Sequence, residues 1–321
     1  MSLSKLSRIG FSFLLAELPL SSQQIPEPTI KVEVSVVNVL CAVRDNKGRL
    51  VSNLEKSDFE IREDGKPQQI TYFSRETQLP LTLGLLVDSS ISQQRLIEEE
   101  REAAASFFEQ VLRKDDMAFL INFDINVNLL QDVTGSVDFL RQALADIRVT
   151  GGGGSPNSGP FPSSTHTGGT RLYDAVYLAS QDVLGKEVGR KALVLITDGQ
   201  DHGSKVDLER AVEAAQRTDS IVYGILFMDR GFYGFGGAAY QGESVLKEMA
   251  EETGGRVFRA GSRQELTRAF DQISEELRSQ YSLGYSPTNT AHNRSFRRIE
   301  IKVHRNGHRI QARKGYYPSG G

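Results

Sequence analysis

The sequence predicts an α/β protein: a doubly wound, mostly parallel sheet with a smaller β domain built from the N- and C-terminal segments. Three observations lead there. Between residues 79 and 277, short continuous apolar runs alternate with helical stretches, the order of a parallel sheet covered by helices on both faces. On either side of that region the pattern changes to period two, as in strands with one buried face. With 321 residues, 39% hydrophobic and 25% charged, the chain has the composition of a soluble globular protein of one large domain or two modest ones. The expected division is a leader over 1–24, an N-terminal β segment over 25–76, an α/β domain over 77–278, and a C-terminal β segment over 279–321 that packs with the N-terminal one.

Charge and cysteine content narrow the function classes. A formal net charge of -3 argues against a general nucleic-acid binder, which needs a basic excess to neutralise phosphates. The single cysteine, Cys41, excludes an intramolecular disulfide and a cysteine-based zinc cluster. No apolar run reaches the roughly 18–20 residues of a membrane-spanning helix, so no span is expected in the mature chain. Lys5 and Arg8 precede an apolar stretch, Ile9 to Leu20, that ends near Ser21 and Ser22 and is interrupted by Glu17. That order reads as a signal peptide or a disordered leader, and it points to a secreted or periplasmic protein.

The elements follow in order. Val32, Val34 and Val36 alternate with Glu33 and Ser35 as a strand; Asp45-Asn46-Lys47-Gly48 and Glu63-Asp64-Gly65-Lys66 read as turns, with strands at Phe59–Ile61 and Ile70–Phe73. Leu81 to Val87 is a continuous apolar run suited to a strand buried on both faces, followed by a helix from about Gln94 to Leu112. Met117–Phe123 is the next strand, with Val127–Leu130 as a short partner, then helices at Val137–Ile147 and Leu172–Leu184. Strands at Ala192–Thr197 and Ile221–Phe227 enclose a helix at Val206–Arg217, and helices at Ser244–Glu252 and Gln264–Leu277 flank a short strand at Arg256–Phe258. Beyond Ser279, Ile299, Ile301 and Val303 alternate with charged residues, and the basic cluster there reads as a solvated strand face. Two glycine-rich stretches, Gly151–Gly169 and Arg230–Gly242, read as loops.

The chemistry gathers in three short motifs. Asp88-Ser89-Ser90-Ile91-Ser92 stands at the end of the first buried run. One carboxylate and two hydroxyls at alternate positions are hard oxygen donors, suited to Mg²⁺, Mn²⁺ or Ca²⁺. Gly168-Gly169-Thr170 opens a helix, and Thr197-Asp198-Gly199 ends a second buried run.

Together the three motifs resemble the von Willebrand factor A (VWA) domain and its metal-ion-dependent adhesion site. The resemblance covers about Leu79 to Leu277. It maps the five metal-site positions of that family onto Asp88, Ser90, Ser92, Thr170 and Asp198, in order. The segment from Asp45 to Phe73 is similar to one that precedes the A domain in bacterial VWFA-related proteins. The resemblance implies that the Asp88 and Asp198 strands lie side by side at the topological switch point of the sheet. It implies hydroxyls that contact the cation directly, aspartates that act partly through water, and an open position filled by an Asp or Glu carboxylate of a partner protein.

The expected function is therefore metal-dependent protein binding without catalysis, with Mg²⁺, or Mn²⁺ or Ca²⁺, as the cofactor. A structural scaffold component without metal-gated binding is the second reading, and a hydrolase-type enzyme the third. The enzyme reading is weakened by missing motifs. Gly151–Gly154 lacks the Gly-Lys-Ser/Thr ending of a phosphate loop, no Gly-x-Ser-x-Gly elbow occurs, and Ser90 stands where haloacid-type phosphotransfer needs an Asp. Asp201 and His202 read as a surface loop. Both glycine-rich loops are expected to rim the metal site, the second offering Phe232, Phe235 and Tyr240.

Overall fold

Strands from the two ends of the chain interleave, and neither end completes a sheet alone. The computed structural model describes residues 36–76, 79–149, 169–227, 238–291 and 295–318. The leader, the Val32–Val34 alternation, nearly all of Gly151–Gly169, and Phe232 and Phe235 lie outside the described residues. The described residues form one compact unit.

The N-terminal part supplies β1 (Val37–Arg44), β2 (Phe59–Glu63), β3 (Lys66–Gln68) and β4 (Ile70–Glu76). The C-terminal part supplies β11 (Gln280–Tyr285), β12 (Arg297–Val303), β13 (Arg309–Ala312) and β14 (Gly315–Tyr316). They form two four-stranded antiparallel sheets, ordered β13-β1-β11-β4 and β14-β12-β2-β3. Asp64 and Gly65 both take positive φ in the turn between β2 and β3, the backbone a two-residue hairpin of this hand requires. Val39, Leu54, Ile61, Tyr281, Leu283 and Tyr285 form the core between the sheets. Glu63, almost fully buried, accepts hydrogen bonds from the hydroxyls of Tyr285 at 2.7 Å and Tyr316 at 3.0 Å and pairs with buried Arg297 at 3.3 Å. One carboxylate from the first segment thus ties down three side chains of the last.

Between these segments lies the large sheet. Its strands are β5 (Leu81–Asp88), β6 (Met117–Phe123), β7 (Val127–Thr134), β8 (Arg190–Thr197), β9 (Ser220–Phe227) and β10 (Val257–Ala260), in the order β10-β9-β8-β5-β6-β7. All pairs are parallel except β6 with β7. The helices are α1 (Ile97–Val111), α2 (Val137–Asp146), α3 (Leu172–Leu178), α4 (Leu208–Arg217), α5 (Ala238–Thr253) and α6 (Arg263–Arg278). On one face Leu83, Leu85 and Val87 pack on α1, α2 and α6, where Phe107 and Phe270 stack with centroids 4.2 Å apart. On the other, Leu86, Ile121 and Leu195 pack on α3, α4 and α5. Every residue of β5 is buried, as its unbroken apolar run predicts.

The structure corrects two readings. The partner of β6 runs to Thr134 rather than ending at Leu130. It is an antiparallel edge strand, half exposed and with two register shifts, so Gln131 and Asp132 interrupt any apolar period. The helix expected to begin at Ser244 begins at Ala238, inside the stretch read as a loop. Gly242 sits in that helix because a side chain does not fit: a Cβ there would lie 2.0 Å from the Asp198 carbonyl oxygen.

Candidate functional site

The register of the central pair places the site. β5 and β8 pair with Val87 opposite Ile196, so Asp88 leaves one strand beside Thr197 and Asp198 on the other. From β5 the sheet grows one way through β6 and the other way through β8, and the two chain directions diverge at this point. Open α/β sheets hold ligands at such a crevice.

Four of the five expected side chains form one hydrogen-bonded cluster. Asp88 is fully buried and accepts from the Ser90 N–H at 2.9 Å and the Thr197 hydroxyl at 2.6 Å. The chain then turns through a short 3₁₀ segment, Ile91–Gln93, which carries Ser92 back toward the sheet. The Ser90 and Ser92 hydroxyls lie 3.0 Å apart, and Ser92 Oγ donates to Asp198 Oδ2 at 2.6 Å. The other Asp198 oxygen accepts from the Gln200 N–H at 2.9 Å.

Thr170 is tied by its backbone to the loop that follows Asp198, exchanging main-chain hydrogen bonds with His202 at 3.1 Å and 2.7 Å. The next residue, Arg171, donates its N–H to the Asp124 carbonyl oxygen at 2.8 Å. Asp124 in turn accepts from the Ser89 hydroxyl at 3.2 Å, and the Ser89 N–H reaches the Phe123 carbonyl at 2.8 Å. Three loops are therefore locked to each other. The expected loop at Asp201–His202 is a clamp: Asp201 accepts from the Tyr173 N–H and the Ser204 hydroxyl and holds this stretch on the first turn of α3.

The electrostatics favour a cation. The hydrogen-bond partners of Asp88 are neutral, and burial, followed by the negative charge of Asp198, pushes its carboxyl up to about 7. Glu100, on the inner face of α1 and only 1% exposed, has neither carboxyl oxygen hydrogen-bonded. Burial first, then Asp88 and Asp198, holds its carboxyl well above the usual range. Asp88 and Asp198 are two buried carboxyls in mutual repulsion, an arrangement that a divalent cation relieves. The donors suit a hard ion: two carboxylates and a run of hydroxyls, without a cysteine or histidine. Among the described residues no group of three or more His, Cys, Asp or Glu is placed to hold a metal ion.

Sequence reasoning gave no role in the site to Thr197, Asp124, Gly242 or Glu100. Thr197 and Asp124 stand beside the ends of apolar runs, where a polar residue looks like an ordinary strand cap. Glu100 carried a signal, because it lies between Ile97 and Ala104 at helical spacing on the apolar face of α1.

Residues 161–272 match the sequence model of the von Willebrand factor type A domain. The match takes in Thr170 and Asp198 and stops short of the Asp88–Ser92 loop, which the sheet brings to them. No curated protein sequence matches the chain significantly. Among solved structures, one of proximal thread matrix protein 1 from the mussel byssus, "with zinc occupied MIDAS motif", superposes with a TM-score of 0.51 at 13% identity, covering 67% of this chain and 50% of that one. The von Willebrand factor type A protein from Catenulispora acidiphila gives 0.47 at 11% identity, over 79% and 71%. BatB from Bacteroides thetaiotaomicron gives 0.44 at 16% identity, over 61% and 99%. At 13% identity the likeness to the mussel protein is one of fold alone, and this chain spans about half of that protein's length.

Proposed function

Because this chain carries a von Willebrand factor type A domain, we propose that the cluster at the β5–β8 crevice is a metal-ion-dependent adhesion site that binds a partner protein. VWA domains generally mediate protein interactions. The observation that carries the reading is the hydrogen bond from Ser92 to Asp198, which joins loops 106 positions apart around two buried acids. Asp88, Ser90, Ser92, Thr170 and Asp198 would hold the ion. When bound, the ion supplies a Lewis-acidic position that an Asp or Glu carboxylate of the partner completes. The residues of the chain do the rest. Thr197 and the Ser90 N–H orient Asp88, Gln200 orients Asp198, and Asp124 holds the Ser89 and Thr170 loops in register.

Mg²⁺ is the ion proposed, on the hardness of the donors, with Mn²⁺ and Ca²⁺ as alternatives. The zinc named for the mussel protein makes Zn²⁺ a useful comparison. A secreted or periplasmic location goes with this reading, on the basic-then-apolar order of the first residues. Among the described residues no helix is long and apolar enough to cross a membrane. No reaction is assigned to the site.

The second reading, a scaffold without metal-gated exchange, draws on the same hydrogen bonds, which tie the Ser90–Ser92 loop to the Asp198 loop. Isothermal titration with Mg²⁺, Mn²⁺, Ca²⁺ and Zn²⁺, on the wild type and on Asp88→Ala, separates the two. The adhesion reading expects saturable binding that Asp88→Ala abolishes while the folded circular dichroism spectrum is kept. Titrations without heat or melting shift for any of the four ions support the scaffold.

A further inference from the structure

The two small sheets are joined along one side and parted along the other. β3 and β4 are consecutive and close one side. On the opposite side β12 and β13 are also consecutive, yet they bond to different sheets, β12 to β2 and β13 to β1. β14 meets β12 only at Arg297 and Arg298, after which the Ile299 N–H reaches the Lys314 carbonyl at 2.7 Å. From Glu300 to Val303 no described strand lies on that side of β12, and β13 is the last strand of its own sheet.

The phase of the free edge follows from its bonds to β2. The Asp64 N–H donates to the Arg298 carbonyl and the His304 N–H to the Asp58 carbonyl. Even-numbered residues of β12 therefore turn their peptide groups to β2, and Ile301 and Val303 turn theirs away. Ile301 borders a cleft of about 520 Å³ between β12 and β13. Its apolar lining includes Ile301, Ile310 and Ala312, which are only half-buried because the sheets have separated there. Arg298, Lys302 and Lys314 line it and are exposed, and among the described residues none of the three is in an ion pair. Arg313 is committed to Asp219, and the acids of the lining are Glu252 and Glu300.

An open strand edge with unpaired peptide groups, an apolar floor and surplus cations suits one kind of occupant. We propose that the cleft between β12 and β13 binds an extended acidic segment of a partner protein, which adds to the free edge of β12 as a strand. Main-chain hydrogen bonds to Ile301 and Val303 give affinity, alternate aliphatic side chains fill the floor, and alternate acids meet Arg298, Lys302 and Lys314. The surface is independent of the Asp88–Asp198 site. Its bland counterpart is that the edge cations only discourage aggregation of an open sheet.

Fluorescence anisotropy on the full chain in EDTA tests this, with a short fluorescein-labelled peptide of alternating Glu and Val as the probe. Saturable binding is expected, weakened about tenfold in the double variant Lys302→Glu, Lys314→Glu and unchanged in Asp88→Ala. The same peptide with N-methylated alternate amides should not bind, because it cannot form the ladder. Circular dichroism establishes that each variant is folded. No binding of the peptide, equal binding of the N-methylated form, or filling of the edge by a second copy of the chain in sedimentation would overturn the proposal.

Discussion

Ser92 and Asp198 lie 106 positions apart and share a buried hydrogen bond of 2.6 Å. The serine is delivered by a 3₁₀ turn after β5 and the aspartate by the end of β8, and the parallel pairing of those two strands makes them meet.

Without metal, stability should fall as the medium turns from acid to neutral. The folded state holds Asp88 at about 7 against an ordinary value of 3.8, so between those values the folded chain binds more protons than the unfolded one. The stabilising contribution is complete below about 4 and lost as pH rises to about 7. A cation favours the ionised carboxylate and reverses the trend. Melting temperatures in EDTA should fall from pH 4.5 to pH 8, and the rise produced by Mg²⁺ should be larger at pH 8 than at pH 5. A Mg²⁺ effect independent of pH would mean that Asp88 is not at the ion.

Glu100→Gln should be tolerated and should flatten part of that slope. The carboxyl is held neutral by burial, and glutamine keeps its shape without its charge. At pH 8 in EDTA the variant should be more stable than the wild type by about 1–3 kcal/mol, and at pH 4.5 indistinguishable from it. Urea unfolding at the two pH values reads the difference.

Gly242→Ala should destabilise, although alanine is the better helix former by about 1 kcal/mol. The added methyl meets the Asp198 carbonyl oxygen, and Gly199, at φ +79°, faces Gly242 from the other side. Either α5 or the Asp198 loop must move. A net loss of about 1–3 kcal/mol is expected, together with weaker Mg²⁺ binding in calorimetry. A stabilised variant with intact metal affinity would show that the close approach is unimportant.

Glu63→Ala should cost about 3–5 kcal/mol, because it leaves Arg297 buried beside two tyrosine hydroxyls without its partner. The loss falls where the N- and C-terminal strands join, so limited proteolysis should cut the small sheets before the large one. Equal protection of both would show that they unfold as one.

Much of the fold was legible because local pattern and final environment agreed. A strand buried on both faces must be apolar throughout, so Leu81–Val87, Ala192–Thr197 and Ile221–Phe227 announced the large sheet. Asp88 and Asp198 stood out because polar residues directly after such strands gather at one edge of a parallel sheet, and the resemblance to the VWA domain added Ser90, Ser92 and Thr170. What the tertiary structure decided lay where sequence neighbours are not spatial neighbours. The close approach of Gly242 to Asp198 depends on how α5 packs on the sheet, and a glycine-rich stretch carries no apolar period to reveal the helix. The unpartnered carboxyl of Glu100 becomes a feature only when α1 is laid over the two aspartates. Likewise the open edge of β12 follows from β12 and β13 parting to different sheets. That choice is set by the strands they pair with, β2 and β1, which lie more than two hundred positions away.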